Sequence, residues 1–459
     1  MKFLLTVNRV LFVLAGIILF GMQHVNAQRC GQEQYKNYLI NKDPSFAQKL
    51  EQQKQTFRNT ISNYHAHPED RLARTLNTTY YPIPVIFHFI LDSDQLKQIG
   101  GTAGIQDRVD SQIVVLERDF NRQNADSVDI PDCFKPLYAN IGIHFGLAGI
   151  SPTGDSSTGY ELRITTSTSF DPNDTSAKHT SSGGLDAWDV TKYINVWCIN
   201  MGGGVLGLTL PQSFVNAGQG KENEKGIYAL YYAVGKQDTL SGYYNREYNL
   251  GRTITHEMGH VFEIWHPWGD DGGLCPWGGG SDDGIADTPP QGNMIYGAPA
   301  FPFYDNCDSN GMIDEEPCGV ILWDYMQYTD DSEMCLFTKD QSIVMSGYIL
   351  PDSESFSLTQ NPHLALPLPT NPIPPNTYNK IALEIMPNPS TGIVNVVYSD
   401  SGNVLQSISV INIVGQRIKQ IQVTQPTNIS FDLSELGKGI YFIQCNFASG
   451  RAIRKLLLE

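Results

Sequence analysis

Apolar positions along the central part of the chain follow two spacings, one typical of strands and one typical of helices. Short runs rich in β-branched and aromatic residues predict strands over residues 81–91, 141–147, 160–165, 193–200 and 227–234. Apolar residues three and four positions apart predict helices over residues 105–122, 249–264 and 338–349. Strands that alternate with helices in this order predict an α/β domain with a mixed twisted sheet.

The first residues of the chain carry the pattern of an export signal. Lys2 and Arg9 make the start basic, an apolar run follows, and a small-residue cleavage signal ends at Ala27. This pattern predicts a signal peptide over residues 1–27. A membrane anchor is the alternative, but the apolar run is too short to span a bilayer comfortably. No later segment of the sequence is long enough to be transmembrane.

Residues 28–75 form a polar segment with one helical pattern and little strand signal. The basic residues Arg71 and Arg74 stand near its end. We interpret the segment as a prosegment that ends in a basic cleavage site and precedes a catalytic domain over residues 76–350. A helical extension that stays attached is the alternative.

The pattern changes again in the second half of the chain. From residue 267 onward Gly, Asp, Pro and Cys dominate, which predicts a loop-rich region with few regular elements. Residues 351–380 are rich in proline and predict a semi-rigid linker. Residues 381–459 contain short strands separated by turn signals, which predicts a small all-β sandwich.

Charge and cysteine content narrow the class of protein. The 459 residues carry a net charge of −17, which argues against a nucleic-acid partner because phosphate binding needs clustered Lys and Arg. All eight cysteines follow Ala27, and export permits disulfides. Four of them lie between residues 275 and 335 without a C-x-x-C pair, which favours a disulfide-stapled region over a second metal site.

The candidate chemistry lies in the motif H-E-x-x-H, which begins at His256 and is followed by a third histidine, His266. On a helix His256 and His260 share one face and can bind one zinc ion, and Glu257 can take a proton from metal-bound water. An ideal helix would place His266 about 15 Å along the axis from His256. His266 therefore joins the same ion only if the helix ends after His260 and the chain turns back. Two buried core histidines are the alternative.

A second stretch of the sequence could complete such a site. Within residues 323–329, Met326 could form an apolar floor beneath the metal, and Tyr328 could donate its phenol O–H to an oxyanion. Taken alone, a methionine and a tyrosine in such positions are more often core residues.

These motifs resemble one clan of enzymes. A motif HExxHxxxxxH followed by a methionine-containing turn is similar to the metzincin clan of zinc peptidases. Further resemblance, specifically to its pappalysin family, lies in residues 268–273, 287–291, 325–331 and 337–338. The resemblance covers about residues 81–350 and implies a zinc endopeptidase fold with a mixed-sheet upper part, an active-site helix and an irregular lower part.

The resemblance also implies roles for individual residues. The three histidines at positions 256, 260 and 266 would bind zinc, and Glu257 would be the general base. Met326 would form the Met-turn, and Tyr328 would stabilise the transition state. Asp330 and Asp331 could form an acidic pocket for a basic substrate residue next to the scissile bond.

A calcium site and two disulfides are further implications. Asp283, Asp287 and Thr288 lie in an acidic turn that could hold calcium, and an ordinary capped turn is the alternative. The resemblance favours a structural calcium ion there. It also implies two disulfide pairs in this region, which would be Cys275–Cys318 and Cys307–Cys335.

Glu263 departs from the metzincin pattern. Metzincins usually have glycine at this position, because the helix must end at a residue with positive φ before the third histidine. A glutamate in that conformation costs about 1 kcal/mol or more. Glu263 would itself lie about 10 Å along the helix axis from His256, too far to bind the same metal. We therefore keep His266 as the ligand and expect a modified turn.

Cys30 stands close to the start of the predicted prosegment, between Arg29 and Gly31. A thiolate from a prosegment can occupy the open position of a zinc ion and keep an enzyme latent, and the family resemblance suggests the same role. A disulfide with Cys133 or Cys198 is the alternative.

Residues 381–459 resemble the C-terminal sorting domain that directs cargo through the type IX secretion system of Bacteroidetes. The resemblance rests on residues 387–392, 414–416, 433–441 and 451–455. It implies the secretion machinery as a partner and a secreted or cell-surface location. A carbohydrate-binding or adhesive sandwich is the alternative.

Together these features predict a secreted zinc endopeptidase that acts on proteins or peptides and is latent until its prosegment is removed. A second hypothesis is a non-catalytic binding or adhesion protein that retains a structural zinc site. Glu257 and Tyr328 argue against it, because a structural zinc needs neither residue. A third hypothesis is a zinc hydrolase that acts on a bond other than the peptide bond.

Overall fold

The structure is a computed structural model and describes residues 28–66, 82–202, 204–236, 246–270, 275, 283–305, 307, 318–349, 353, 355–369, 382–399, 405–412, 417–423, 429–447 and 450–459. The chain divides into two compact units, Met1–Leu368 and Pro369–Glu459. The predicted signal peptide and the basic residues Arg71 and Arg74 lie outside the described residues. No helix within the described stretches is long and apolar enough to cross a membrane.

The first unit is built on a seven-stranded mixed sheet. Its strands are β1 (Gln28–Cys30), β2 (Pro82–Leu91), β3 (His144–Leu147), β4 (Tyr160–Ile164), β5 (Ile194–Ile199), β6 (Val205–Leu210) and β7 (Gly226–Leu230). The spatial order is β1-β6-β7-β5-β2-β3, and β4 also pairs with β2. Every pairing is parallel except that of β6 with β7. The predicted α/β fold with a mixed sheet is confirmed.

The helices of the first unit share one apolar core with this sheet. They are α1 (Gln32–Lys42), α2 (Ser45–Ala66), α3 (Ser93–Gln98), α4 (Gly101–Phe120), α5 (Gln212–Asn216), α6 (Arg252–Val261) and α7 (Lys339–Tyr348). Helix α4 presents a fully buried apolar face, as its spacing predicts, through Ile105, Val109, Ile113, Leu116 and Phe120. Helix α6 contacts α4 and the strands β6 and β7. These contacts hold α6 beside the edge of the main sheet.

Strand β6 is an element that the sequence pattern did not predict. It follows the glycine run at residues 202–204, and Gly207 interrupts its apolar residues. A glycine within a strand weakens the strand signal and often marks a close approach of another group. Strand β1 adds to β6 in parallel, with Gln28 opposite Val205 and Cys30 opposite Gly207. The predicted prosegment therefore extends the main sheet at this edge.

The region after α6 contains little regular structure in its described parts, as the sequence predicts. Its short strands β8 (Tyr296–Gly297) and β9 (Tyr328–Thr329) pair in parallel. Residues around Cys133 pack with this region in one apolar cluster, which includes Ile130, Phe134, Tyr138, Ile321, Trp323 and Leu336. The cluster joins residues 130–138 to the region after α6.

The predicted disulfide pairs are wrong. The structure pairs Cys133 with Cys318 and Cys275 with Cys307, with Cα–Cα distances of 6.7 and 5.4 Å. The apolar cluster explains the first pair, because it brings the segment that carries Cys133 against the segment that carries Cys318. Cys335 is a buried thiol within the same cluster.

The first unit continues beyond residue 350. Two short 3-10 helices, Phe356–Gln360 and Pro362–Leu364, follow α7. The amide of Gly149 donates to Leu364 O, and the amide of Leu366 donates to Leu147 O, both at 2.7 Å. The first part of the predicted linker therefore packs on the edge of the main sheet.

The second unit consists of two small antiparallel sheets. Its strands are β10 (Ala382–Met386), β11 (Ile393–Ser399), β12 (Leu405–Asn412), β13 (Arg417–Gln422), β14 (Ile429–Asp432), β15 (Gly439–Phe447) and β16 (Gly450–Leu458). One sheet has the order β10-β11-β14 and the other β13-β12-β15-β16. Both sheets contribute to one core, which includes Ile385, Val394, Ile408, Val410, Ile443 and Leu456.

Candidate metal centre

Helix α6 supplies the first side chains of the site. Gly251 precedes the helix at φ 82°, a conformation that suits glycine. His256 and His260 are one turn apart and face the same side, and both are buried together with Glu257.

The turn after α6 reverses the chain. Glu263 adopts φ 67°. The amide of Ile264 donates to Gly259 O at 3.0 Å, and the amide of Glu263 donates to His260 O at 3.1 Å. These are the two hydrogen bonds of a Schellman turn, which glycine usually closes. The expected modified turn is therefore wrong, because Glu263 makes the ordinary turn itself.

That turn brings His266 back to the two histidines of the helix. Its Nε2 atom lies 3.1 Å from Nε2 of His256 and 3.1 Å from Nε2 of His260. The Sγ atom of Cys30 lies 3.6 Å from Nε2 of His260. Tetrahedral zinc, with bonds of about 2.1 Å to nitrogen and 2.3 Å to sulfur, separates its ligands by about 3.3–3.6 Å. The observed spacings fit such an ion.

The second ring nitrogen of each histidine determines where the lone pairs point. Nδ1 of His256 and Nδ1 of His260 each donate to a backbone carbonyl oxygen at 2.7 Å. Nδ1 of His266 lies 2.7 Å from Oδ1 of Asp270. Each Nδ1 therefore carries the proton, and each Nε2 directs a lone pair at the other two. Three buried lone pairs at this distance repel one another unless a cation lies between them, so these residues suit zinc.

Burial favours the neutral form of the two helical imidazoles, which metal binding requires. It lowers the pKa of His256 well below its usual value, with the neighbouring histidines as the next cause. Burial, followed by the proximity of His266, lowers the pKa of His260 to about 3. Burial alone would raise the pKa of Asp270, but its pairing with His266 holds that pKa below the usual value.

Glu257 lies beside the three histidines and is held by strand β6. Oγ1 of Thr209 donates to Oε2 of Glu257 at 2.7 Å. Gly207 makes room for the carboxylate, because a Cβ atom there would lie 2.4 Å from Oε1. Burial raises the pKa of Glu257 to about 8, and hydrogen bonds with Thr209 and Cys30 oppose the shift. A carboxyl group with such a pKa can exchange a proton near neutral pH.

Met326 and Tyr328 both lie close to the histidines, and the ring of Tyr328 is 5.8 Å from that of His256 and 5.1 Å from that of His266. Met326 is buried, and a Cβ atom on Gly259 would lie 2.4 Å from its Sδ atom, so the side chain packs against α6 between the two helical histidines. The phenol of Tyr328 donates to Cys30 O at 2.9 Å. Both predicted residues therefore lie in the site.

The predicted prosegment lies beside the histidines as strand β1 of the main sheet. We refer to the space that it fills there as the metal cleft. Arg29, at the centre of β1, is completely buried and forms a salt bridge with Asp331. Its guanidinium also lies 5.1 Å from the ring centre of Tyr248 and donates to Sδ of Met334 at 3.0 Å. Arg29 therefore occupies a closed pocket for a basic side chain.

Asp331 is oriented from two sides. One carboxylate oxygen meets Arg29, and the other accepts hydrogen bonds from the amides of Leu250 and Arg252 at 2.7 and 3.2 Å. The hydrogen bonds from these two amides connect Asp331 to the start of helix α6. Asp330 is half-buried, and its pKa is raised by burial and by Glu247. Of the two predicted acidic residues, Asp331 is the one that pairs with the guanidinium.

The residues proposed for calcium take part in local hydrogen bonds. Thr288 Oγ1 lies 3.0 Å from both carboxylate oxygens of Asp283, and the amide of Ile285 donates to Asp283 at 3.0 Å. Asp287 accepts from the amide of Asp340 in the first turn of α7 at 3.0 Å. Asp283 and Asp287 thus stabilise two different backbone segments.

Three residues of the site carry no separate motif in the sequence. Gly207 and Thr209 support Glu257, and Asp270 supports His266. The spacing of four between His266 and Asp270 was a usable signal, because such pairs often meet. Gly207 and Thr209 lie about fifty residues before Glu257, so only the tertiary structure relates them.

Two comparisons with protein families define the class of the chain. Residues 181–349 match the family described as Pregnancy-associated plasma protein-A. Residues 384–459 match the Secretion system C-terminal sorting domain. The chain thus combines a match to a metallopeptidase family with a match to a secretion sorting domain.

Solved structures place the chain within that class. The fold is similar to a mutant promirolysin of Tannerella forsythia, with a TM-score of 0.58 and 29% identity, covering 73% of this chain and 98% of that one. Mature mirolysin of Tannerella forsythia in complex with a cleaved peptide is 33% identical, with a TM-score of 0.55, covering 63% of this chain and 99% of that one. The chain belongs to the pappalysin family, and the predicted resemblance is confirmed.

Curated relatives match over shorter stretches. An extracellular metalloprotease of Podospora anserina is 28% identical over 216 residues, which are 46% of this chain and 61% of that protein. An extracellular metalloprotease of Colletotrichum graminicola is 36% identical over 110 residues, which are 24% of this chain and 34% of that protein. The chain therefore spans less than two thirds of the length of these relatives.

Proposed function

We propose that this protein is a zinc-dependent endopeptidase that hydrolyses peptide bonds in proteins or peptides. The convergence of three buried imidazole lone pairs beside the carboxylate of Glu257 carries the proposal. His256, His260 and His266 would hold the zinc ion. When bound, the ion supplies an acidified water and a Lewis acid for the scissile carbonyl.

Glu257 accepts the proton of the attacking water and passes it to the leaving amine. The hydrogen bond from Oγ1 of Thr209 supports this role, because it fixes the carboxylate beside the three histidines. Tyr328 donates its phenol O–H to the oxygen that becomes negatively charged. Its hydrogen bond to the carbonyl of Cys30 supports this role, because that partner is also a peptide carbonyl.

The pocket around Asp331 supports a preference for a basic residue next to the scissile bond. Arg29 fills this pocket in the prosegment and is completely buried there. A buried carboxylate without a cation is unfavourable, so the pocket selects positively charged side chains. Substrates would place an arginine or a lysine where Arg29 lies.

The prosegment would keep the enzyme latent. The Sγ atom of Cys30 is within 4.8 Å of all three histidine ligand atoms, where a thiolate can fill the fourth position of the ion. The carbonyl of Cys30 meanwhile takes up the hydrogen bond of Tyr328. Latency would end when the segment leaves the cleft.

A cleavage assay on casein tests this function. Wild-type enzyme with its prosegment removed should cleave casein and lose this activity with a zinc chelator. Glu257→Ala should keep its zinc and lose at least a thousandfold in kcat, about 4 kcal/mol of transition-state stabilisation. Activity that survives this substitution would refute the mechanism.

In the unprocessed chain, Cys30→Ser should raise activity, and unchanged latency would contradict the role of the thiol.

Calcium stays a prediction for the turn at residues 283–288. Metal analysis of the purified protein decides it together with the zinc content. One calcium per chain that is lost in Asp283→Asn would support a calcium site there. A protein that contains zinc but no calcium would contradict the calcium site and would leave Asp283 with a structural role, as the hydrogen-bond partner of Thr288.

A further inference from the structure

Outside the metal cleft, the prosegment helices cover a second surface of the catalytic unit. It is formed by Phe214 of α5 and Trp265 of the turn after α6, whose rings lie 6.0 Å apart. We refer to these two rings as the aromatic platform. Phe46 of α2 packs edge-on against Phe214 at 5.2 Å, and Nζ of Lys54 lies 4.3 Å from the ring centre of Trp265.

The buried residues of α2 have the spacing of one helix face. Phe46, Leu50 and Lys54 are each four positions apart and are 0, 4 and 9% exposed. Tyr35 of α1 adds a stacked contact with Phe214 at 6.2 Å. Gln48, between these positions, is exposed. An amphipathic helix that lays its apolar face on a complementary surface is an established mode of protein recognition.

Charge complementarity adds to the apolar contacts. Nζ of Lys36 donates to the backbone oxygen of Asp270, and both Lys36 and Lys54 lie close enough to the carboxylate of Asp270 to interact with it. Both lysines are at least nine-tenths buried. Attraction between opposite charges is stronger where water is excluded. Apolar packing and electrostatic attraction therefore both stabilise the binding of helices α1 and α2.

We propose that the aromatic platform is a second anchor for the prosegment helices besides the metal cleft, so that residues 28–66 stay bound as an inhibitor after the peptide connection to the catalytic domain is cut. The inference rests on the latency proposed above. Two groups of contacts support the inference, and we call each an anchor. The first consists of Arg29 and Cys30 in the metal cleft, and the second of Phe46 and Lys54 on the aromatic platform.

The linkage of the anchors makes release slow. When one anchor opens, the other keeps the segment close, so the open anchor rebinds at a high effective concentration. Complete release then needs both anchors to open together or the segment between them to be broken. Activation therefore takes a second event, such as a cut within residues 28–66.

The experiment uses the full chain with a recognition sequence for a specific protease introduced within residues 67–81. After the cut, size-exclusion chromatography measures whether the fragment stays with the catalytic part, and a casein assay measures activity. A Glu257→Ala version of the chain, which cannot digest the fragment, provides the binding measurement. The expected result is a nicked complex that co-elutes and stays inactive.

Variants of the platform contacts give the matched comparison. Phe46→Ala should release the fragment at least tenfold faster after the cut and raise activity, and the milder Lys54→Met should do so to a smaller extent. Gln48→Ala, on the exposed face of the same helix, should behave as wild type. Equal zinc contents before the cut show that the catalytic part is folded in every variant.

Immediate loss of the fragment from the wild-type chain would overturn the inference, and so would release that is equal in Phe46→Ala and Gln48→Ala. Latency itself is judged separately, from the activity of the uncut chain. An active uncut chain would refute the proposed latency, while co-elution of the fragment in the Glu257→Ala chain would still support binding at the platform.

Discussion

At the scale of single residues, the metal site depends on the backbone of Glu263. A residue with a Cβ atom at φ 67° carries a cost of about 1 kcal/mol. The carboxylate of Glu263 accepts a hydrogen bond from the amide of Ser213 at 2.9 Å, and such a bond contributes about 1 kcal/mol. The two effects offset each other, so a glutamate can close the turn that delivers His266.

Substitution of Glu263 separates these two contributions. Glu263→Gly removes the strain and the hydrogen bond together, so we expect unchanged zinc content and a stability of the catalytic unit within about 1 kcal/mol of wild type. Glu263→Ala keeps the strain and loses the bond, so it should be about 1–2 kcal/mol less stable. Thermal unfolding and metal analysis measure both effects. Loss of zinc in Glu263→Gly would contradict this account of the turn.

Asp331 and its neighbour Asp330 form a matched pair for testing specificity. Asp331→Asn should lower kcat/KM for substrates with arginine at the cleavage site by about tenfold to a hundredfold, because a charge-assisted hydrogen bond contributes about 1.5–3 kcal/mol. Asp330→Asn should change it by less than about threefold, since Asp331 makes the pairing with Arg29. Peptide libraries report both values. If both substitutions changed kcat/KM equally, Asp331 would not be the residue that recognises the arginine of the substrate.

At the scale of elements, strand β6 has three contacts that matter for function. It pairs with β1 of the predicted prosegment, it holds Glu257 through Thr209, and it contacts helix α6. Strand β6 can combine these roles because its side chains alternate between the two faces of the sheet while its backbone pairs with β1 on one side and β7 on the other.

Thr209 provides the test at this scale. Thr209→Val removes the hydroxyl but keeps the shape, so we expect kcat to fall about tenfold to a hundredfold with little change in KM. Zinc content should stay the same, because Thr209 contacts Glu257 rather than a histidine. Thr209→Ser should restore most of the activity. A loss in both Val and Ser variants would indicate that packing of the strand, and not the hydrogen bond, is responsible.

The elements differ in how far the sequence predicts them. Helices α4 and α6 and the buried strand β2 were predicted, because their patterns are long or strongly apolar. Strand β6 was missed because Gly207 weakens its signal, although that glycine is what leaves room for Glu257. The disulfide pairs were wrong because pairing depends on which segments pack together.

At the scale of the whole molecule, the chain contains two units with separate cores. The catalytic unit includes Leu358 and Leu364, which are nearly buried against it, and ends at Leu368. The sorting unit has its own apolar core between two small sheets. Each unit therefore has the packing needed to fold as a separate body.

Truncation tests where the catalytic unit ends. A chain that stops after residue 368 should keep zinc and unfold at the temperature of the catalytic unit in the full chain. A chain that stops after residue 350 should be destabilised by about 3 kcal/mol or more, because it loses the burial of Leu358 and Leu364. Calorimetry compares the two. Equal unfolding temperatures would mean that the segment after α7 contributes nothing to the fold.

By itself, the sequence determined the chemical groups of the site and the local geometry of the helix that carries them. His256, Glu257 and His260 owe their arrangement to helical spacing, which acts over a few residues. Only the tertiary structure decided how distant groups meet, such as the salt bridge of Arg29 with Asp331 across 302 positions. Such contacts depend on how the sheet, the helices and the loops pack, and no local pattern in the sequence records that packing.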